Sequence, residues 1–296
     1  MNNLIVNKRI NNIKTFMLMS IMFAVIVFLG LILAGVTHNI SYLWGSLFIS
    51  LVLNISSYFF SDTIALSTSG AVAANPDEHP EYYNIVKSLT SKADMPMPRL
   101  YIINDPAPNA FATGRNENNA AVAVTTGLLS MMNREELAGV IAHELSHIRN
   151  KDILIMSTVV VMTGIFTMIS HFIINISLSK NSKNSDNSQN IIFAIIGLLA
   201  SILLPIASMI VQATISRKRE YIADASGAIL ADNRHGLASA LQKIGAVNVP
   251  MHNANQATAH LYISNPFGGG SDDISLWSRL FMTHPPIEDR IKALTE

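Results

Sequence analysis

The sequence predicts an α+β membrane protein in which four transmembrane helices carry a cytoplasmic α/β domain built from discontinuous segments. Three observations predict it. Half of the 296 residues are hydrophobic, only 14% are charged and the mean hydropathy is +0.34, high for a chain with an ordinary water-facing surface. The apolar excess is collected in four uncharged stretches at residues 15–37, 39–61, 153–179 and 187–216, each able to supply the roughly 20 apolar residues of a spanning helix. Between the second and third stretches the pattern changes to short helical and strand-like segments.

Taken in order, residues 1–60 form a transmembrane hairpin with spans at about 15–37 and 39–60. A secretory signal peptide is the alternative for the first stretch, but no small-residue cleavage site follows Gly35 and another apolar segment begins at once. Asn54, Ser56 and Ser57 dilute the second stretch, whose end reads as interfacial. Residues 61–152 read as α/β, with an amphipathic helix near Glu81–Lys92, strands at 99–103, 110–113 and 120–125, and a helix at 134–149. The strand at 120–125 alternates small and β-branched residues and reads as edge-like, suited to pairing with an extended peptide through Ala121, Val122, Ala123 and Val124; an interior strand is the alternative. Residues 153–216 form a second hairpin, with spans near 153–178 and 190–213. A buried hairpin in a soluble core is the competing account, and these stretches are too long and too uniformly apolar for it. Residues 217–296 hold a helix at 234–244, an Asn/His/Gln-rich stretch, a Gly268–Gly270 hinge or linker, and two short helices separated by Thr283–Pro286.

Basic residues set the orientation. Lys8, Arg9 and Lys14 precede the first span, Arg149 and Lys151 the third, and Arg217, Lys218 and Arg219 follow the fourth, whereas the turn at His38 has no Lys or Arg. By the positive-inside rule these flanks face the cytoplasm, against the weaker opposing signal of Lys180 and Lys183. Lys and Arg number 20 and Asp and Glu 20, so no net charge marks a nucleic-acid partner. The chain has no cysteine, which excludes a disulfide framework and thiolate metal ligands.

Within the helix at 134–149, His143, Glu144 and His147 form a His-Glu-x-x-His run. Residues four apart share a helix face, so both imidazoles can point at one ion while Glu144 reaches a water beside it. A catalytic zinc takes three protein ligands and leaves a position open, so a further His or carboxylate is required. Glu220, in the run Ser-Arg-Lys-Arg-Glu-Tyr-Ile-Ala-Asp at residues 216–224, is the best candidate, and Asp224 lies one turn beyond it, able to accept the outer N–H of a ligating imidazole. On its own this run also fits a charged helix end facing lipid phosphates.

Five runs together resemble the HtpX group of integral-membrane zinc metallopeptidases, gluzincin-type enzymes related to the CAAX prenyl proteases. They are His-Glu-Leu-Ser-His, the 216–224 run, Pro-Asn-Ala-Phe-Ala-Thr-Gly at 108–114, the strand run at 121–129 and Thr-His-Pro-Pro at 283–286. The match covers the chain in order, with residues 180–189 and 248–273 least typical. The resemblance implies a zincin-like catalytic domain at the inner membrane of a bacterium and an edge strand that binds the substrate backbone. It implies one zinc ion per chain held by His143, His147 and Glu220, with Glu144 as general base.

The resemblance also favours a site role for His284 as a donor to the developing oxyanion; a turn histidine capping the helix that starts near Ile287 is the plain alternative. Arg217 and Arg290 are weaker candidates for that donor, Asn109 is a candidate for orienting substrate or simply part of a Gly-ended turn, and His171 in the third span fits a neutral, hydrogen-bonded imidazole. The expected partners are extended or unfolded polypeptides and the lipid bilayer, in a quality-control role. Dedicated cleavage of prenylated tails, a non-catalytic zinc scaffold and a transporter are the rival functions. A scaffold needs four closing ligands where three are evident, and a transporter needs charged groups that these spans lack.

Overall fold

The computed structural model describes residues 2–179, 217–255, 257–268 and 285–296. Two long helices, α1 (Asn2–Thr37) and α2 (Ser41–Thr68), form an N-terminal hairpin whose turn places His38 in the left-handed region. Residues 10–37 of α1 and all of α2 are long and apolar enough to cross a membrane. Much of their apolar surface faces outward, with Phe16, Trp44 and Phe48 each about two-thirds or more exposed. Exposed apolar area on this scale belongs against lipid rather than water, and the chain is a membrane protein.

The α/β part follows as β1 (Ala71–Ala73), α3 (Pro80–Ala93), β2 (Arg99–Ile103), β3 (Ala110–Gly114), β4 (Ala120–Thr125), α4 (Thr126–Met131) and α5 (Arg134–Arg149). The sheet order is β1-β2-β4-β3, with β4 parallel to β2 and antiparallel to β3. This corrects the expectation of an edge strand at 120–125. All six β4 residues are buried, and both hydrogen-bonding edges of the strand are occupied. Ala120, Val122 and Val124 face the core formed with α3 and α5, while Ala121 and Ala123 face a second core with α2 and α6 (Asp152–Ser179). A strand covered on both faces carries no polar alternation, and small residues mimicked a lightly packed edge. The edge is β3.

α6 begins one short turn after α5, and the two helices meet at 85°. Its first half, from Ile153 to Phe166, is packed inside the protein against the sheet and the hairpin, with Met22, Ile26 and Phe166 joining α1 to α6. Among the described residues only α1 and α2 pass as spans by themselves. The predicted fourth span at 187–216 and the 180–189 loop lie outside the described residues. Beyond it come α7 (Arg217–Ala231), α8 (Arg234–Ala246) and α9 (Ile287–Thr295). α7 packs directly on α5: a Cβ at Gly227 would sit 2.8 Å from the His143 backbone nitrogen, so only glycine permits that approach.

Candidate metal centre

α5 is started by a full capping box. The Asn133 side chain accepts from the Glu135 and Glu136 amides, and the Glu136 carboxylate accepts from the Asn133 amide. The helix then runs unbroken through His143, Glu144 and His147, all buried. Its exit is sharp because Lys151 adopts a left-handed conformation (φ 59°), which turns the chain back so that Asp152 lies beneath His147.

Among the described residues, one His, Asp and Glu cluster has the geometry of a metal site: His143, His147 and Glu220. His143 Nε2 and His147 Nε2 are 3.2 Å apart, and the Glu220 carboxylate oxygens lie 3.8 Å from the first and 3.6 Å from the second. A tetrahedral ion with bonds near 2.0–2.1 Å separates its ligand atoms by roughly 3.3–3.4 Å, so the triangle has the right size. Proton bookkeeping leads to the same conclusion. His147 Nδ1 lies 3.1 Å from Asp152 Oδ2, and His143 Nδ1 lies 2.9 Å from Asp224 Oδ1 in a contact bent off the ideal hydrogen-bond line. A carboxylate only accepts, so each Nδ1 carries a proton, and in the neutral rings both Nε2 lone pairs face the same point beside a carboxylate. A cation is what relieves that arrangement.

The surroundings are charged and buried. Arg290 of α9, fully enclosed, grips Asp224 through two bonds, Nε to Oδ2 at 2.9 Å and Nη2 to Oδ1 at 2.7 Å, and donates Nη1 to the Ile263 carbonyl. Burial alone would raise the Asp224 pKa, but the hydrogen bonds from Arg290 and His143 hold it at about 2. Burial pushes the Glu144 carboxyl up to about 7, with the Glu220 charge adding to it and His147, Arg290 and the Ala112 amide opposing. Burial would lower His147, yet the bond to Asp152 and the charges of Glu220, Asp152 and Glu144 carry it to about 9, whereas burial leaves His143 below its ordinary value.

β3 borders the site. Its Ala110 carbonyl accepts from the Ile263 amide, so alternate residues Ala110, Ala112 and Gly114 turn their main chain away from β4. The Gly114 amide donates to Ser157 Oγ and the Ala112 amide serves Glu144, as that alternation requires. The candidates Ala121, Val122, Ala123 and Val124, inside the sheet, have no free ladder to offer a peptide. Asn109 is buried and its amide brackets Ser264, donating to that residue's carbonyl at 3.0 Å and accepting from its N–H at 3.3 Å. His284 lies outside the described residues, as does the side chain of His171. Arg290 stands behind Asp224, and Arg217 is exposed.

Two residues the sequence did not single out complete the centre. Asp152 was visible only as the acid heading an apolar stretch, five residues after His147, and its role depends on the Lys151 turn. Gly227 follows Glu220 by seven residues, two turns on the same helix, a spacing that marks the face meeting α5.

An α/β domain whose helix presents two imidazoles and a glutamate, completed by a carboxylate from a second helix, defines a metal-dependent hydrolase. Residues 76–296 match peptidase family M48. A Protease HtpX homolog of Thermoanaerobacter pseudethanolicus is 48% identical over 81% of this chain and 80% of its own, and one of Pelotomaculum thermopropionicum is 43% identical over 96% and 98%. A solved structure, S. mikatae Ste24p, is 19% identical with a TM-score of 0.49, covering 100% of this chain and 67% of that one. The chain belongs to peptidase family M48, in its HtpX group, and is a membrane metalloprotease that hydrolyses peptide bonds in polypeptides.

Proposed function

We propose that the chain is a zinc-dependent endopeptidase that cleaves extended or unfolded polypeptides, misfolded membrane proteins included, at the cytoplasmic membrane face. The observation that carries it is the pair of Nε2 lone pairs converging with Glu220 beside Glu144. His143, His147 and Glu220 would hold one zinc ion, which when bound polarises the scissile carbonyl and acidifies water. Glu144 takes the proton of the attacking water and returns it to the departing amine. Burial raises its carboxyl above the ordinary carboxylate value, the direction that favours holding the proton before returning it. Asp152 and Asp224 hold the two imidazoles in the ligating tautomer, and Arg290 keeps Asp224 ionised. β3 is the sheet edge beside Glu144, and an extended substrate pairs there by displacing the contacts that the Ala112 and Gly114 amides now make to Glu144 and Ser157, which a folded domain cannot do. The basic flanks at Lys14 and 217–219 support the cytoplasmic orientation.

The test uses the full chain in detergent, stripped by a chelator and reloaded with zinc, with one polypeptide offered folded and unfolded. Zinc should restore cleavage of the unfolded form and leave the folded form largely intact. Cleavage that persists without metal, or equal cleavage of both forms, overturns the proposal.

A further inference from the structure

A second charged cavity lies on the other side of Asp152 from the metal triangle. It has a volume of about 160 Å³ and is lined by Asn11 and Lys14 of α1, Asn150 and Asp152 of the α5–α6 turn, and Lys218 and Arg219 of α7. Three cations face one carboxylate there. That carboxylate is already engaged, with Oδ2 against His147 Nδ1 and Oδ1 accepting from Asn11 Nδ2 at 2.8 Å. Arg219 reaches it only weakly, Nη1 to Oδ1 at 3.5 Å, and its Nη2 is buried with no hydrogen-bond partner among the described residues. Leaving a guanidinium N–H buried and unmatched is costly, and such a group persists where an acceptor from outside the chain can meet it.

The position names the acceptor. Ile10 and Lys14 belong to the first turns of the membrane-length segment 10–37, and Lys218 and Arg219 open α7 directly after the apolar stretch 187–216. The cavity therefore opens where the polar part of the protein meets the end of a membrane-length helix, at the depth of lipid headgroups. A planar guanidinium beside two ammonium groups matches a phosphate, which takes a bidentate fork and spare donors together.

We propose that this cavity binds the phosphate of an anionic phospholipid, with Arg219 as the fork and Lys14 and Lys218 as flanking charges. Bound there, the headgroup meets the donors that Asp152 leaves unsatisfied and keeps Arg219 from drawing that carboxylate away from His147. The lipid thus becomes an outer support of the metal centre, three contacts from the ligand: phosphate to Arg219, Arg219 to Asp152, and Asp152 to His147.

The full chain is placed in a phosphatidylcholine bilayer containing phosphatidylglycerol as the minor component, extracted gently, and the retained lipids are identified by native mass spectrometry. Phosphatidylglycerol should be retained above its share. Lys218→Gln should lower that excess about fivefold, Arg219→Gln at least as much, and the double variant should abolish it. Arg219→Lys, which keeps the charge but not the fork, should retain part of it, and an unchanged denaturant midpoint in each variant shows that the fold is intact. Retention in the mixing ratio, or a preference that survives the double variant, overturns the proposal. So does retention of added inorganic phosphate without any lipid preference, which would assign the cavity to a free anion. Because lipid retention needs no turnover, it is measured equally in Glu144→Gln protein and is independent of the proteolytic reading.

Discussion

The N-terminal hairpin and the metal-bearing domain solve opposite problems with the same residue types. In α1 and α2 large apolar side chains point outward, with Phe48 69% exposed, and polar groups such as Ser50, Ser57 and Ser61 are tucked inside. In the domain the apolar groups are enclosed, and at their centre sits a network of two histidines, two glutamates, two aspartates and an arginine, all buried. The difference shows which solvent each surface answers to: lipid accepts exposed Phe and Trp at no cost, whereas charge survives burial only when every charge has a counterpart. The two regions meet at several places, Asp62 pairing with Arg99 and Asn11 donating to both the Asn150 carbonyl and Asp152, and through the last of these the first helix reaches the carboxylate beside His147.

The largest effect should come from Glu144, the group we propose as the base. Glu144→Gln removes the base but leaves the His143, His147 and Glu220 triangle, so peptide-bond cleavage should fall by about 10²–10⁴ with metal content unchanged. Proteolysis assays beside elemental analysis check both halves. Loss of metal along with activity would show that Glu144 is a structural member of the network.

The contrast between surfaces is sharpened by truncating a phenylalanine on each. Phe111 of β3 is fully buried and meets Tyr262 edge to face at 5.1 Å, so Phe111→Ala should destabilise by about 3–5 kcal/mol. Phe48→Ala in α2 removes no protein packing of that kind and should change stability in detergent by less than about 0.5 kcal/mol. Denaturant midpoints of the two variants decide it, and equal losses would place Phe48 in an interface within the protein.

Next come the two carboxylates behind the imidazoles. Asp224→Asn and Asp152→Asn each replace an acceptor with a group that can no longer fix the Nδ1–H tautomer by charge, and each should weaken metal affinity about 10–100-fold by competition with a chelator. They should differ in one respect. Asp224 sits against Arg290, which would be left buried and unpaired, so Asp224→Asn should also lower fold stability, whereas Asp152→Asn keeps its bond to Asn11.

The features that were legible in the sequence are those with local causes. The strand at 99–103 and the helix at 134–149 carry their own periodicity, and the His-Glu-x-x-His spacing is itself a helical statement. Glu220 and Asp224, though remote in sequence, lie one turn apart on a helix, so their shared face was visible before their partner was. What was not legible depended on tertiary placement. Whether β4 was edge or interior turns on which strand lies beyond it, and its small residues fit either. β1, three residues long, has too few positions to show a period. Asp152 acquires its role from a single left-handed residue, Lys151, and Arg290 from a helix 66 residues past its partner.

The smallest effect tests how α5 begins, in contrast with α2, whose first turn has no side-chain cap at Ile40 and which relies on length and packing. The Asn133 side chain accepts two first-turn amides, so Asn133→Ala should cost about 1 kcal/mol. The loss should be local. His143 lies more than two turns on, so metal affinity should hold while the Glu135 and Glu136 amides exchange faster with solvent. Glu136 has further anchors, accepting from Lys243 at 2.7 Å and from Ser239 at 2.6 Å on α8. If exchange at Glu135 and Glu136 does not change, those bonds to α8 rather than the cap set the start of the helix, and α5 would depend on packing as the membrane hairpin does.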